Sequence, residues 1–449
     1  MIPIMEFQER SLKGPVMKAD DFDLGFSMKV RELVSKYDIK YNPEALIIDD
    51  AAADAVFQAG VELLADIGLL NTDTSRVIQY TREELELLAG ECYENPAKAD
   101  FGRGDDKMTI QFRTGEDTRP PTNYSGMGGV TTEEEFIPCI QSIVQEESVE
   151  GVGIVPGLDR LGDIEPKSGT LSEIHVGMWE QEQLKEVLRR VGRPGMNLGL
   201  LCTVSTPAAT YECIRPGLRE PFNTQIGIHI LPEQKLTWDR LLMAHFCQDR
   251  GIQPWQSCMS MLGALCRNPQ DVAVTLIANA LGQLSYGHGA MVSFFSNHID
   301  GAYGTRQANW AVAAAMRAAE RNLRVATGTC ISGIKWRQTT GMYQATCQAV
   351  WYTASGFAYT WHGGHTGLEA RLVGEVMDCT AGMDKTKANE LTLKIMAKCE
   401  ELLEADGPGE TKKPFAETYD MKTVKPLPEF ESTVMEVKEG LAQMGVPFK

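Results

Sequence analysis

The sequence predicts an α/β protein: a (β/α)8 TIM barrel with helical N-terminal and C-terminal extensions. From about residue 109 onward, eight short apolar runs alternate with helical stretches, the pattern of parallel strands joined by crossover helices. A length of 449 residues suits one barrel with additions and requires no second core. The stretch DGPGETKK at 406–413 is polar, contains Gly and Pro, and ends the repeating pattern.

Residues 1–105 are expected to form a helical extension packed on the barrel. Apolar residues recur there at helical spacing over 27–37, 51–69 and 81–94, and Thr81 with Glu84 makes a capping box for the last of these. Residues 106–405 make the barrel, with strands expected at 109–113, 152–155, 197–202, 225–230, 258–262, 290–295, 325–329 and 357–361. Between them the spacing predicts helices at 133–145, 180–191, 238–249, 271–284, 306–321 and 340–355, and a long one at 370–404 interrupted near Gly382. Residues 406–449 form the linker and a last helix at 430–444.

Composition excludes several classes of function. No uninterrupted apolar run is long enough to cross a bilayer, and the opening MIPIMEFQERSLKGPVMKADD lacks the apolar core of a secretory signal, so a cytoplasmic protein with no membrane partner is expected. A formal net charge of −18, with no basic stripe apparent, excludes nucleic acid as a partner. The 11 cysteines contain no C-x-x-C pair and read as reduced, packed thiols. GMGG at 126–129 has neither dinucleotide-binding nor P-loop spacing, so no dinucleotide cofactor is implied.

In a barrel the reactive groups gather at the C-terminal ends of the strands. His229 closes QIGIH, His298 lies in SNHIDG, Cys330 ends VATGTC, and His362 and His365 fall in WHGGH. Each histidine alone has a plain structural reading; the shared position of the group makes His229, His298 and His362 candidate catalytic residues. His362 and His365 can also present two imidazoles to one zinc ion, completed by Cys330 or an acid, although no third ligand follows at short spacing and the two glycines equally suit a tight loop. Gly199, inside NLGLLCTVS, marks a close backbone approach or room for a ligand. Cys202 has no basic neighbour to make it a thiolate and is expected to line the substrate site as a thiol. Gln256 and Asn297 are further polar candidates at the mouth. Trp336 and Trp361 lie in or beside predicted βα loops and can wall a site for a methylated cation or an aromatic ring.

Several segments resemble the monomethylamine:corrinoid protein methyltransferase family. They are TGLEARLVGEVMDCTAGM at 366–383, ETYDMKTVKP at 417–426, GRPGM at 192–196, QKLTWD at 234–239, YTASG at 352–356 and LNTDTSRVIQYTREEL at 70–85, spread over nearly the whole chain. The resemblance implies a (β/α)8 barrel, a homo-oligomer, and a separate corrinoid protein whose cobalt(I) attacks a methyl carbon held at the barrel mouth. It also implies pyrrolysine on a strand a few residues after GRPGM. Here that position is Gly199, so the chain resembles a member lacking pyrrolysine, and family acids nearby are replaced by Gly227 and Ser257.

A pocket without that electrophile must make the departing atom a good leaving group by other means. A quaternary ammonium or sulfonium donor is already cationic and needs an aromatic cage and orientation. A methoxylated aromatic needs its phenolate stabilised by a proton donor or by zinc. Histidines at the mouth suit the aromatic ether better, although the glutamate/histidine spacing expected of zinc-dependent relatives is absent; a primary amine fits least. The expected activity is therefore methyl transfer from a small methylated donor, a methoxylated aromatic or a methylated amine, to a corrinoid protein. The rival reading is a non-catalytic paralogue that binds a corrinoid protein or a small ligand.

Overall fold

Eight short runs of sequence become eight parallel strands because each buries apolar side chains under a crossover helix. The computed structural model describes residues 2–200, 203–299, 304–362, 365–407 and 409–448, with only the backbone at residue 362. The strands are β1 (Tyr124–Gly126), β2 (Gly151–Ile154), β3 (Leu198–Leu200), β4 (Gln225–Gly227), β5 (Gln253–Leu262), β6 (Met291–His298), β7 (Ala326–Ile331) and β8 (Phe357–His362). Four helices precede them: α1 (Ile4–Lys13), α2 (Ala19–Lys36), α3 (Asp50–Ile67) and α4 (Arg82–Glu94). One helix follows each strand in turn: α5 (Glu133–Val144), α6 (Leu171–Arg190), α7 (Pro207–Cys213), α8 (Trp238–Arg250), α9 (Pro269–Gly287), α10 (Arg306–Asn322), α11 (Thr339–Thr353) and α12 (Gly367–Thr380). α13 (Lys385–Asp406) and α14 (Pro428–Met444) close the chain. This is the (β/α)8 barrel that the sequence predicts.

β1, β2 and β3 form one parallel ladder, and β4 to β8 form another. They meet where Thr122 bridges to Tyr359, its amide donating to Ala358 at 2.9 Å and its carbonyl accepting from Thr360 at 3.1 Å. On the other side, no ladder bond joins β3 to β4 among the described residues. Arg219 clamps this seam: its guanidinium donates to the carbonyls of Leu198, Gly199 and Asn223, and its Nε donates to Gln181 at 2.7 Å.

Val152, Leu198, Ile226, Ile228, Val292 and Phe294 join the large apolar core that the strands share with the helices. Tyr124, Met291, Ala326 and Tyr359, near the N-terminal ends of their strands, form a second cluster with Ala99, Phe101, Met108 and Ile110. Those last four belong to an antiparallel hairpin, Lys98–Phe101 with Met108–Gln111, that closes the N-terminal end of the barrel. The strand expected at 109–113 is therefore not a barrel strand. It alternates between buried and exposed side chains, and such a strand suits a hairpin with one wet face; the first barrel strand is the short Tyr124–Gly126.

The capping box at Thr81 and Glu84 is present. The interruption near Gly382 is a full break between α12 and α13, with Gly382 at φ +75°. Two helices had no signal, α1 and the seven-residue α7. α3 packs on α9 and α10: Gly60 admits Ile277, Asp54 pairs with Arg321 at 2.8 Å, and Asp50 pairs with Arg317 at 2.7 Å. The polar stretch at 406–413 is more than a linker, because Thr411–Lys412 pairs in parallel with Lys335–Trp336. Among the described residues no helix is long and apolar enough to cross a membrane, and the described cysteines are free thiols.

Candidate active site

With the N-terminal end closed by the hairpin, access to the barrel interior is from the C-terminal ends of the strands. A cavity of about 380 Å³ opens there, lined by Phe295 and Asn297 of β6, Cys330 of β7, Trp361 of β8, Trp336 of the β7–α11 loop, and Glu410. Four residues expected from the sequence, Asn297, Cys330, Trp336 and Trp361, thus gather in one place. The Trp361 ring lies 5.8 Å from the Phe295 ring and stands edge-on to Trp255 at 5.0 Å. Two glycines make room for these aromatics: a Cβ on Gly153 would fall 2.9 Å from the Trp361 Cβ, and Gly129, at φ +84°, faces the edge of Trp336. Asn297 Oδ1 and Trp361 Nε1 are buried with no hydrogen-bond partner among the described residues. A buried polar atom without a partner is costly and commonly awaits a ligand or water.

A smaller cavity of about 210 Å³ lies at the β3–β4 seam, where Leu200, Ser205, Thr210, Gly227, His229 and Arg240 meet. Burial holds the His229 imidazole neutral, pushed down to about 3, and the Arg240 guanidinium adds to the effect. His229 Nδ1 has no partner among the described residues. As a neutral ring it can orient a ligand by hydrogen bonding; it cannot serve as a cationic acid near neutral pH. Gly227 pairs with Trp255, whose ring meets Trp361, so the two cavities are neighbours across the barrel interior.

The other expected residues lie apart from this cavity or outside the described residues. His298 pairs with Leu262 and lies beside Gly263, on the opposite strand face from Asn297, and does not line the aromatic cavity. Gln256 turns away from the mouth toward Gly287 and Gly289 at the end of α9. Of the two readings of Gly199, the close backbone approach is the one the geometry fits and room for a ligand is not, because a Cβ there would fall 2.0 Å from the Gly153 carbonyl oxygen of β2. Cys202 lies outside the described residues, as does the side chain of His362. His365 is buried, and burial with the nearby Arg337 pushes its imidazole down to about 3. Among the described residues no three His, Cys, Asp or Glu side chains converge on a point that could hold a metal, so the zinc expectation has no supporting ligand set.

Two buried carboxyl groups carried no sequence signal of their own. Glu180 of α6 accepts hydrogen bonds from the Leu158 amide at 3.0 Å and from the Thr203 hydroxyl, tying together the loops after β2 and β3. Glu233 accepts from the Met261 amide at 2.9 Å and the Ser260 hydroxyl at 3.1 Å, bracing the loop after β4 against β5. Burial pushes both carboxyls up to about 7. Glu173, seven residues earlier on the same helix as Glu180, accepts from the amides of Ser205 and Thr206 at 2.7 and 2.9 Å and holds the same loop after β3.

The raised carboxyl has a consequence for stability. An ordinary glutamate loses its proton near 4.5, whereas folded Glu180 keeps it to about 7, so across that window the unfolded chain binds fewer protons. The contribution of Glu180 to stability is full below about 4.5 and is lost as pH rises to about 7, by on the order of 3 kcal/mol. Glu180→Gln is expected to remove this slope, melting above the parent at pH 8 and no higher at pH 5. Identical melting profiles for the two proteins across that range would show that Glu180 is not held protonated.

Comparison with known proteins places this geometry in context. The family model described as Monomethylamine methyltransferase MtmB matches residues 2–446. The Monomethylamine methyltransferase MtmB2 of Methanosarcina acetivorans is 25% identical over 99% of this chain and 98% of its own length. The Monomethylamine methyltransferase MtmB of Methanosarcina mazei has the same identity and coverage. The crystal structure of the Methanosarcina barkeri Monomethylamine Methyltransferase superposes with a TM-score of 0.92 at 22% identity, covering 100% of this chain and 99% of that one. The crystal structure of the hydroxylamine MtmB complex superposes equally well.

Proposed function

The chain belongs to the monomethylamine methyltransferase family, and on that premise we propose that it moves a methyl group from a small methylated ammonium donor to the cobalt(I) of a separate corrinoid protein. The observation that carries the choice of donor is the lining of the mouth cavity. Phe295, Trp336 and Trp361 offer aromatic walls, and Asn297 offers a buried oxygen with no partner among the described residues.

Aromatic faces attract a cation by about 0.5–2 kcal/mol each, and cages of them are used to recognise quaternary ammonium groups. Asn297 Oδ1 can orient the donor, and Glu410 at the rim adds a negative charge. The corrinoid, when its carrier docks, supplies a cobalt nucleophile that accepts the methyl group. The chain itself holds the methyl carbon toward the open end of the barrel and keeps water from the apolar wall.

A quaternary nitrogen departs as a neutral amine, so no acid is needed at the reacting atom. That suits a site whose seam histidine is neutral and whose Gly199 carries no side chain where the family resemblance implies pyrrolysine. A cavity of about 380 Å³ also exceeds what a single methylamine fills. A methoxylated aromatic, the better fit on sequence grounds, would need a proton donor or a metal at its oxygen; among the described residues no metal ligand set converges, and the described lining carries no imidazole, its carboxyl Glu410 being exposed at the rim.

The direct test mixes the protein with a reduced corrinoid protein and follows methyl–cobalt absorbance. Tetramethylammonium-type donors are expected to convert at least about a hundredfold faster than methoxylated aromatics or monomethylamine. Conversion confined to either of those other donors refutes the assignment. Failure with every donor class would put the non-catalytic binding role in its place.

A further inference from the structure

Behind the wall that carries Trp336 lies a basic groove. The pairing of Lys335–Trp336 with Thr411–Lys412 makes a two-residue ribbon. Trp336 and Glu410 line the aromatic cavity, whereas Lys335, Arg337, Lys412 and Lys413 line a separate groove of about 710 Å³, bordered by the acids Asp406 and Glu417. In a chain of net charge −18 this concentration of cations is a local exception.

Two of the four cations are buried: Lys335 is 3% exposed and Arg337 is 1% exposed. Among the described residues no carboxylate pairs with either side chain, and the Lys335 ammonium makes no hydrogen bond. Arg337 donates to the Lys413 carbonyl at 3.0 Å and to the Met127 and Cys139 sulfurs at 3.6 and 3.8 Å, and stacks 5.4 Å from the Phe415 ring, but its Nε has no partner among the described residues. Burial, with Arg337 alongside, pushes Lys412 below the ordinary lysine range. The first turn of α11 borders the groove at Thr339, and Gln338 at its N-cap makes no side-chain capping bond, leaving the helix amides uncapped. Glu369 lies within electrostatic reach of Arg337 but forms no ion pair with its guanidinium, and buried cations left short of counter-charge are unfavourable unless something supplies the missing anion.

We propose that this groove is a binding site for a small phosphate-bearing anion, with Lys335 and Arg337 as its buried anchors. Lys412 and Lys413 close over the anion from the other strand of the ribbon, and the α11 amides complete its hydrogen bonds. Occupancy would fix the ribbon and with it Trp336, whose ring also lies 5.5 Å from the Lys412 ammonium.

The test uses the full chain, with inorganic pyrophosphate as probe and sodium chloride at matched ionic strength as control, read by melting temperature and Trp fluorescence. Neither readout depends on methyl transfer, so the result stands apart from the donor assignment. The parent protein is expected to gain a few degrees, saturably, with pyrophosphate. Lys335→Met is expected to melt close to the parent without ligand, since the ammonium makes no ion pair and the largely buried stem is replaced by an apolar one, and to bind pyrophosphate at least about tenfold more weakly. Lys413→Gln, nearer the surface, is expected to weaken binding by about threefold. No saturable gain over chloride, or an undiminished gain in folded Lys335→Met, would overturn the proposal.

Discussion

Gly199→Ala is expected to cost more than about 3 kcal/mol of stability and most of the soluble yield. The new Cβ would stand 2.0 Å from the Gly153 carbonyl oxygen, 2.4 Å from its carbon and 2.7 Å from the Val152 oxygen. All three are backbone atoms of β2, and no rotamer change can move them aside. The clash lies inside the β2–β3 ladder, between the pairs Val152–Leu198 and Ile154–Leu200, on the side of the barrel already weakened by the β3–β4 seam. Gly162→Ala is the control: at φ +55° with nothing near its Cβ, it meets only backbone strain of about 1 kcal/mol. Thermal melting of the two variants checks the comparison. If Gly199→Ala melts with the parent, the close approach of β2 and β3 is wrong, and position 199 could carry the side chain that the family resemblance implies.

Trp361→Ala is expected to reduce methyl transfer at least about a hundredfold and to destabilise the fold by about 3–5 kcal/mol. Its ring fills the barrel interior beside Gly153, against Trp255 and Phe295, and also forms a wall of the aromatic cavity. Trp255 is itself held, donating to Ser293 at 2.7 Å, with Ser293 and Tyr359 hydrogen-bonded at 2.8 Å, so the wall rests on an ordered interior. Trp361→Phe separates the two effects. It should restore most of the melting temperature while leaving tetramethylammonium binding about three- to tenfold weaker, measured by fluorescence titration. Unchanged cation binding in a folded Trp361→Ala protein contradicts the aromatic-wall reading.

Much of the barrel was legible because runs such as 290–295 and 357–361 are apolar and bounded by helical stretches. Tyr124–Gly126 was not, because a three-residue polar strand has no periodicity to read. The site was half legible for a related reason. Sequence locates the end of a strand well but not its parity, and a one-residue shift turns a side chain to the other face. Asn297 therefore lines the cavity and His298 does not; Trp255 faces the interior and Gln256 turns toward α9. Glu180 and Glu233 were hidden for another reason. An isolated carboxylate reads as solvated until the fold places backbone amides around it.

The docking of α3 on α9 and α10 also bears on how the protein is made. Residues 50–67 pack early on α2 and α4, but the rest of their covering surface, α9 and α10, is complete only once the ribosome has added residues through 322. At ordinary elongation rates that interval is roughly 10–50 s. Until then the face at Gly60 waits for Ile277 of α9, and Asp50 and Asp54 wait for Arg317 and Arg321 of α10. Nascent chains ending before α10 are thus the species most in need of a chaperone, and a late-made segment governs when the earliest-made one can settle.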